Sequence, residues 1–129
     1  MKNLKLRAWL KEDKEMISVE EMAFDTKYVR GFYKLDSRWF KLEQVELMQS
    51  TGLLDAFGTE IFEGDIITKD EGETFGVVRY GICRSSLCFY VEQNYKGSEL
   101  TFPINTNFSR YYKVVGNIYK NPELLEVGQ

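Results

Sequence analysis

From Glu46 to Ile67 the chain runs Glu46-Leu-Met-Gln-Ser-Thr-Gly-Leu-Leu-Asp-Ala-Phe-Gly-Thr-Glu-Ile-Phe-Glu-Gly-Asp-Ile-Ile67, short strand-forming stretches divided by residues that turn the backbone. Asp55-Ala-Phe-Gly58 has Asp at the first position and Gly at the fourth, which suits a type I turn. Glu63-Gly64-Asp65 is another break, where Gly64 can take a positive φ before Ile66, Ile67 and Thr68 enter a strand. Gly52, Asp55, Gly58, Gly64 and Asp65 are the turn-forming positions of this run. It holds no group suited to catalysis.

The same grammar extends along the chain. Leu4, Leu6, Ala8 and Leu10 alternate with Lys5, Arg7, Trp9 and Lys11, the period-two mark of a strand with one buried face. Residues 12–15 read as a turn and 16–19 as the returning strand. Residues 20–44 are rich in aromatics without a long period. Gly31 and Asp36-Ser37 are the expected breaks there, leaving short strands at 28–29, 32–35 and 38–42. Leu42, Val45 and Met48 lie three apart, as on a helix, but the turn that follows and the lack of a cap favour a strand over 45–49.

Further strands are expected at 75–80, around Leu87, Phe89 and Val91, around Leu100, Phe102 and Ile104, and from Tyr112 to Tyr119. Ile66 is expected to face the core. Pro103 cannot donate to a ladder, so its strand should be an edge. Residues 70–73 form an acidic turn, and 122–126 hold one short helical turn introduced by Asn121 and Pro122. Four or five short, closely spaced strands from Glu63 onward suggest a small barrel.

Three ordered motifs carry a family likeness. The Glu46–Ile67 run, the opening Lys5-Leu-Arg-Ala-Trp9 and the closing Gly116-Asn-Ile-Tyr-Lys-Asn-Pro-Glu-Leu-Leu125 resemble the YopX family, small proteins encoded mostly by bacteriophages and prophages. Leu10 stands where the family usually has a polar residue. The resemblance implies a phage or prophage accessory protein on an SH3-like barrel, and it brings no activity with it.

Composition narrows the function classes. An apolar fraction of 43% with 15% aromatics supports a real core, and aromatic side chains fit pleated, half-buried surfaces. The net charge of −3 is uneven: residues 1–50 hold ten Lys/Arg and nine Asp/Glu, whereas 51–129 hold seven and eleven. A general nucleic-acid binder would show the opposite bias, since phosphate neutralisation supplies most of that affinity. No apolar run approaches the ~20 residues that span a bilayer, and the first residues lack the apolar core of a secretion signal. Two cysteines are too few for a disulfide scaffold. A cytoplasmic protein of the bacterial host, without membrane attachment, is expected.

The chain has no histidine. Without it there is no Ser-His or Cys-His dyad, and zinc would need about four thiolates or supporting carboxylates. Cys83 and Cys88 cannot supply them and miss the C-x-x-C spacing; they read as fillers of a hairpin, with an oxidisable pair the sharper alternative. Asp55, Glu60, Glu63 and Asp65 lie close in sequence but lack the spacing of a calcium loop, so Asp55 is read as a turn cap and Asp65 as an anchor of strand entry. No glycine-rich phosphate loop can be drawn. The expectation is no enzyme, no metal and no cofactor.

Basic and aromatic residues interleave at Arg79-Tyr80, Arg84, Tyr95-Lys96 and Arg110-Tyr-Tyr-Lys113. Such a pattern serves single-strand binding barrels, but the acidic balance favours an ordinary barrel wall. The candidate binding surface comprises Trp9, Arg79, Tyr80, Tyr90, Arg110 and Tyr112. Trp9, on the polar face of its strand, is either an interface residue or is covered by the segment from Tyr28 to Phe40. The reading is mainly β: an N-terminal β region, 1–49, packed on a C-terminal SH3-like barrel, 50–129, with minimal helix. As a function it gives a protein-interaction module, a homo-oligomer that binds a phage or host protein. A nucleic-acid-binding barrel is the alternative.

Overall fold

The computed structural model describes residues 5–69, 74–95 and 98–125, with side chains described for all of these except 94, 95, 98 and 99. The fold is mainly β, as the alternation requires. Eleven strands, one α-helical turn and two 3-10 turns are found among the described residues. The chain divides into two units, residues 1–49 and residues 50–129.

In the first unit, strands β1 (Leu6–Leu10), β2 (Glu15–Ala23), β3 (Tyr28–Tyr33) and β4 (Asp36–Lys41) form an antiparallel meander. The first half of β5 (Val45–Leu54) pairs with β1, so that Ala8 stands between Ile17 and Leu47. Ala8, Leu10, Ile17, Val29 and Val45 make the core, with Val19, Met22, Tyr33, Phe40, Leu42 and Leu47 packed around it. Ala8 and Leu10 therefore face the core as their period predicts. Trp9 is also buried, at 7% exposure, so β1 is covered on both faces near its end.

Two expected breaks move. Gly31 lies inside β3, where an added Cβ would sit 2.6 Å from both Ile17 Cδ1 and the Ser18 carbonyl oxygen. Its lack of a side chain permits a close strand approach, not a turn. The turn falls at Lys34 and Leu35, with φ of 53° and 68°, and Asp36 already belongs to β4. Two consecutive positive φ values between paired Tyr33 and Asp36 make a type I′ hairpin. Lys-Leu carries none of the Asn-Gly chemistry that normally signals one.

Residues 42–44 form a 3-10 turn, stapled by the Gln44 side chain accepting from the Lys41 amide at 3.0 Å. The strand expected at 45–49 is present as β5 and runs on to Leu54.

In the second unit, the remainder of β5 pairs with β6 (Glu60–Phe62). Strands β7 (Asp65–Thr68), β8 (Phe75–Cys83), β9 (Ser86–Tyr95) and β10 (Ser98–Pro103) make an antiparallel meander. Strand β11 (Lys113–Asn117) then returns to pair with β7, giving the order β10-β9-β8-β7-β11. Pro103 is thus on an edge strand, as expected. The strand predicted from Tyr112 starts one residue later and ends at Asn117.

Ile61, Ile67, Val78, Val91, Ile104 and Tyr112 form the core cluster, with Leu53, Phe89, Phe102, Phe108 and Val114 against it. The inward position on β7 is Ile67, not Ile66 as the sequence suggested. Ile66 projects to the opposite face and is nevertheless fully buried. A strand buried on both faces gives no alternation from which to choose a side. A helical turn, α1 (Thr106–Ser109), was not anticipated; Asn105 caps it by accepting from the Phe108 amide at 3.0 Å. The closing 3-10 turn, Pro122–Leu125, falls where a short helical turn was expected.

Candidate binding groove

Asp55 organises this region. Its Oδ1 accepts from the amides of Phe57 and Thr59, each at 2.8 Å, and its Oδ2 accepts from the Val114 amide at 2.9 Å. The Gly58 amide donates to the Asp55 carbonyl at 3.1 Å, closing the turn, and Gly58 has φ of 83°. The Ala56 amide donates to the Tyr112 carbonyl at 2.8 Å. The turn is thereby tied to the start of β11, and its Phe57 side chain is thrust outward with 74% exposure.

The ladder places Thr68 between Phe75 on β8 and Lys113 on β11. The result is a groove of about 650 Å³ lined by Ala56, Phe57, Thr68, Lys69, Phe75, Tyr111, Tyr112, Lys113, Val115 and Leu124. This lies within the usual range for ligand sites. A smaller depression of about 300 Å³ shares Lys69, Tyr111 and Tyr112 with it and adds Phe108. Tyr112 is held beneath by Phe108, whose ring stacks on it at 4.9 Å, while Tyr111 stands 69% exposed.

The charged groups among the groove's described lining residues are two lysines. Lys113 Nζ lies 5.6 Å from the centre of the Phe57 ring, a cation–π distance. Lys69 is exposed and also lines the groove. Among the described lining residues there is no carboxylate. Thr68 has spent its hydroxyl proton on the Thr74 carbonyl oxygen at 2.7 Å.

A family sequence profile, described as YopX protein, matches residues 5–126 of the chain. The chain belongs to the YopX family. A solved structure, that of protein EF1440 from Enterococcus faecalis, is similar over 97% of this chain and 99% of that one, with 26% identity and a TM-score of 0.53. No curated protein matches.

In this YopX chain the residues singled out from sequence do not form one surface. Arg79 and Tyr90 are direct partners across β8 and β9, but the Arg79 Nε lies 3.6 Å from Glu92 Oε1, which offsets its charge. Tyr80 projects to the other face of β8, its ring 4.7 Å from that of Phe89. Arg110 is exposed beyond α1. Two of the six are corrected as surface residues. Trp9 is buried and not an exposed interface residue, and Tyr112, at 2% exposure, lines the groove while joining the core.

The structural positions fare differently. Gly52, Gly58 and Gly64 all have positive φ, and Asp65 Oδ2 accepts from the Phe62 amide at 2.8 Å. Of the groove's exposed members, Tyr111 and Lys113 lay in a basic-aromatic stretch already noted. Phe57 was hidden inside a turn signature, and Lys69 carried no signal; the half-buried Phe75 was read only as the start of a strand.

Other chemistry is sparse. Cys83 is buried and Cys88 half-buried, on one face of the β8–β9 hairpin. Burial, then the neighbouring Cys83, pushes the Cys88 thiol upward. Among the described residues no group of three His, Cys, Asp or Glu side chains is placed to hold a metal, and no helix is long and apolar enough to cross a membrane. The acidic turn expected at residues 70–73, Lys96 and Glu126 lie outside the described residues.

Proposed function

We propose that this YopX protein is a non-enzymatic interaction module, phage- or prophage-encoded and cytoplasmic in its bacterial host, that docks another protein in the groove between Phe57 and Tyr111. The observation that carries this reading is the groove itself: Phe57 is held outward by a turn that Asp55 locks in place, and Tyr111, also exposed, lines the same groove. Rigid, exposed aromatic side chains give contact area at small entropic cost, which is what interface anchors need.

The scaffold we infer is an SH3-like barrel. A four-strand meander whose fifth strand returns to pair with the first, after a helical turn, is the ladder order such a barrel uses. The absence of enzyme chemistry rests on composition and on use. The chain lacks histidine, and its buried Asp55 and Asp65 are spent on backbone amides.

The test compares the wild-type chain with a Phe57→Ser, Tyr111→Ser variant as baits in bacterial cells carrying and lacking a resident prophage. One or more proteins should be retained by the wild type and lost by the variant, with matched thermal melts. Identical retained sets would dispose of the groove as the docking site.

A further inference from the structure

Resting on that docking reading, we infer that the groove takes an extended protein segment with one or two carboxylates set beside apolar side chains. The floor and walls are aromatic or aliphatic at Phe57, Phe75, Tyr112, Val115 and Leu124, whereas Lys69 and Lys113 bring the charge. No described lining residue offsets those two ammonium groups. Lys113 is held over the Phe57 ring, so a carboxylate that meets it stands next to the aromatic anchor. The adjoining depression shares Lys69 and Tyr111 with the groove, which gives neighbouring apolar side chains of an extended segment two adjoining seats that border on one cation.

The same charges limit the partner. Residues 51–129 carry seven cations against eleven carboxylates, a net of −4. A polyanion would be repelled at long range while gaining only two close cations, so nucleic acid fits this surface poorly. Exposed ion pairs are weak. The aromatic contacts therefore supply most of the affinity, and the lysines select acidic segments over neutral or basic ones.

The experiment selects a random ten-residue peptide library, displayed on phage, against the full chain. Enriched peptides are then measured by fluorescence anisotropy at low and high salt. Enrichment of Asp or Glu beside Phe, Trp or Leu is expected. Affinity should fall about 10-fold or more in Phe57→Ser. It should fall about 2–5-fold in Lys69→Met or Lys113→Met, as it should on raising salt. The double variant Lys69→Glu, Lys113→Glu should select basic peptides instead.

Peptides that need Phe57 but carry no acid and ignore salt would overturn the charge assignment and leave the docking reading standing. Peptides indifferent to both Phe57→Ser and Tyr111→Ser would overturn both. A single-stranded oligo-dT probe that binds more tightly than any selected peptide, and loses binding in the lysine variants, would replace the protein segment by nucleic acid. Thermal melts of each variant confirm that the chain is folded.

Discussion

Between residues 6 and 41 every strand pairs with its neighbour in the chain, whereas from residue 65 onward the last strand, β11, returns across the whole meander to β7. The polar groups differ accordingly. In the first unit the prominent ones are at the surface: Arg30 reaches Glu20 at 3.1 Å and Glu21 at 2.9 Å, and its guanidinium lies 5.8 Å from the Trp39 ring. In the second unit Asp55 and Asp65 are buried and accept from backbone amides. A hairpin satisfies its own backbone through the ladder. A long return leaves donors at turn and strand ends, and buried carboxylates take them up. The return of β11 is thus tied in part by one buried acceptor, Asp55, which reaches the Val114 amide, whereas the meander of residues 6–41 is flanked by exposed ion pairs.

The comparison breaks first at the cores. Ile67→Asp should abolish the native fold of residues 50–129, because a carboxylate would replace a fully buried side chain among Val78, Val91 and Tyr112. Trp39→Ala on β4, 47% exposed, should leave stability within about 1 kcal/mol. Near-UV circular dichroism of the two variants checks this. A native spectrum for Ile67→Asp would show that the inward face of β7 is still misassigned.

Next come the anchors. Asp55→Ala removes the acceptor of three amides and should cost about 3 kcal/mol or more, since hydrogen bonds to charged groups are worth about 1.5–3 kcal/mol each and the donors lose their partners. Glu21→Gln, in the exposed Arg30 pair, should cost less than about 1 kcal/mol. Urea unfolding gives both values, and equal costs would refute the contrast between buried and surface anchors.

Backbone geometry is the third test. Gly64 has φ of 88°, its amide donates to the Val78 carbonyl at 2.7 Å and its carbonyl accepts from the Ile118 amide at 2.9 Å. Gly64→Val should cost a few kcal/mol, because a β-branched residue is strained there. An unchanged melting temperature would reject that role. In the first unit the sign reverses. Lys34 and Leu35 already sit at positive φ, so Lys34→Asn with Leu35→Gly should stabilise by about 1–2 kcal/mol. A loss of stability would mean that the turn is held by its side chains.

Those positions also show what the sequence could convey. Period-two alternation at Leu6, Ala8 and Leu10 and the turn chemistry of Asp55, Gly58 and Gly64 are local properties, and the structure keeps them. Trp9 and Ile66 were harder because both lie where a strand is buried on both faces, so polarity alternates weakly or misleads. Lys34-Leu35 adopts a turn that its residues do not advertise. The groove was illegible for a different reason. Its members come from residues 56–57, 68–69, 75, 111–113, 115 and 124, and only the return of β11 to β7 gathers them. An outward Phe57 resembles a core Phe until the Asp55 bonds are known.

The smallest expected effect separates the units by pH. Burial raises the Tyr33 hydroxyl in the first unit, helped by its hydrogen bond to Asp13, and burial together with Cys83 raises the Cys88 thiol in the second. Both groups hold their proton more tightly when folded. Each therefore adds stability below its unfolded value and loses it as pH climbs through the raised folded one. Ordinary values are 9.0 for the thiol and 10.0 for the phenol, so alkali should weaken the second unit first. Amide exchange between pH 8 and 11 follows the units separately once corrected for intrinsic base catalysis. Protection in β8 and β9 should decline before that in β3, and Cys88→Ser should remove the earlier loss while leaving the later one. A simultaneous loss, or an earlier one in β3, would show that these two protons do not distinguish the units.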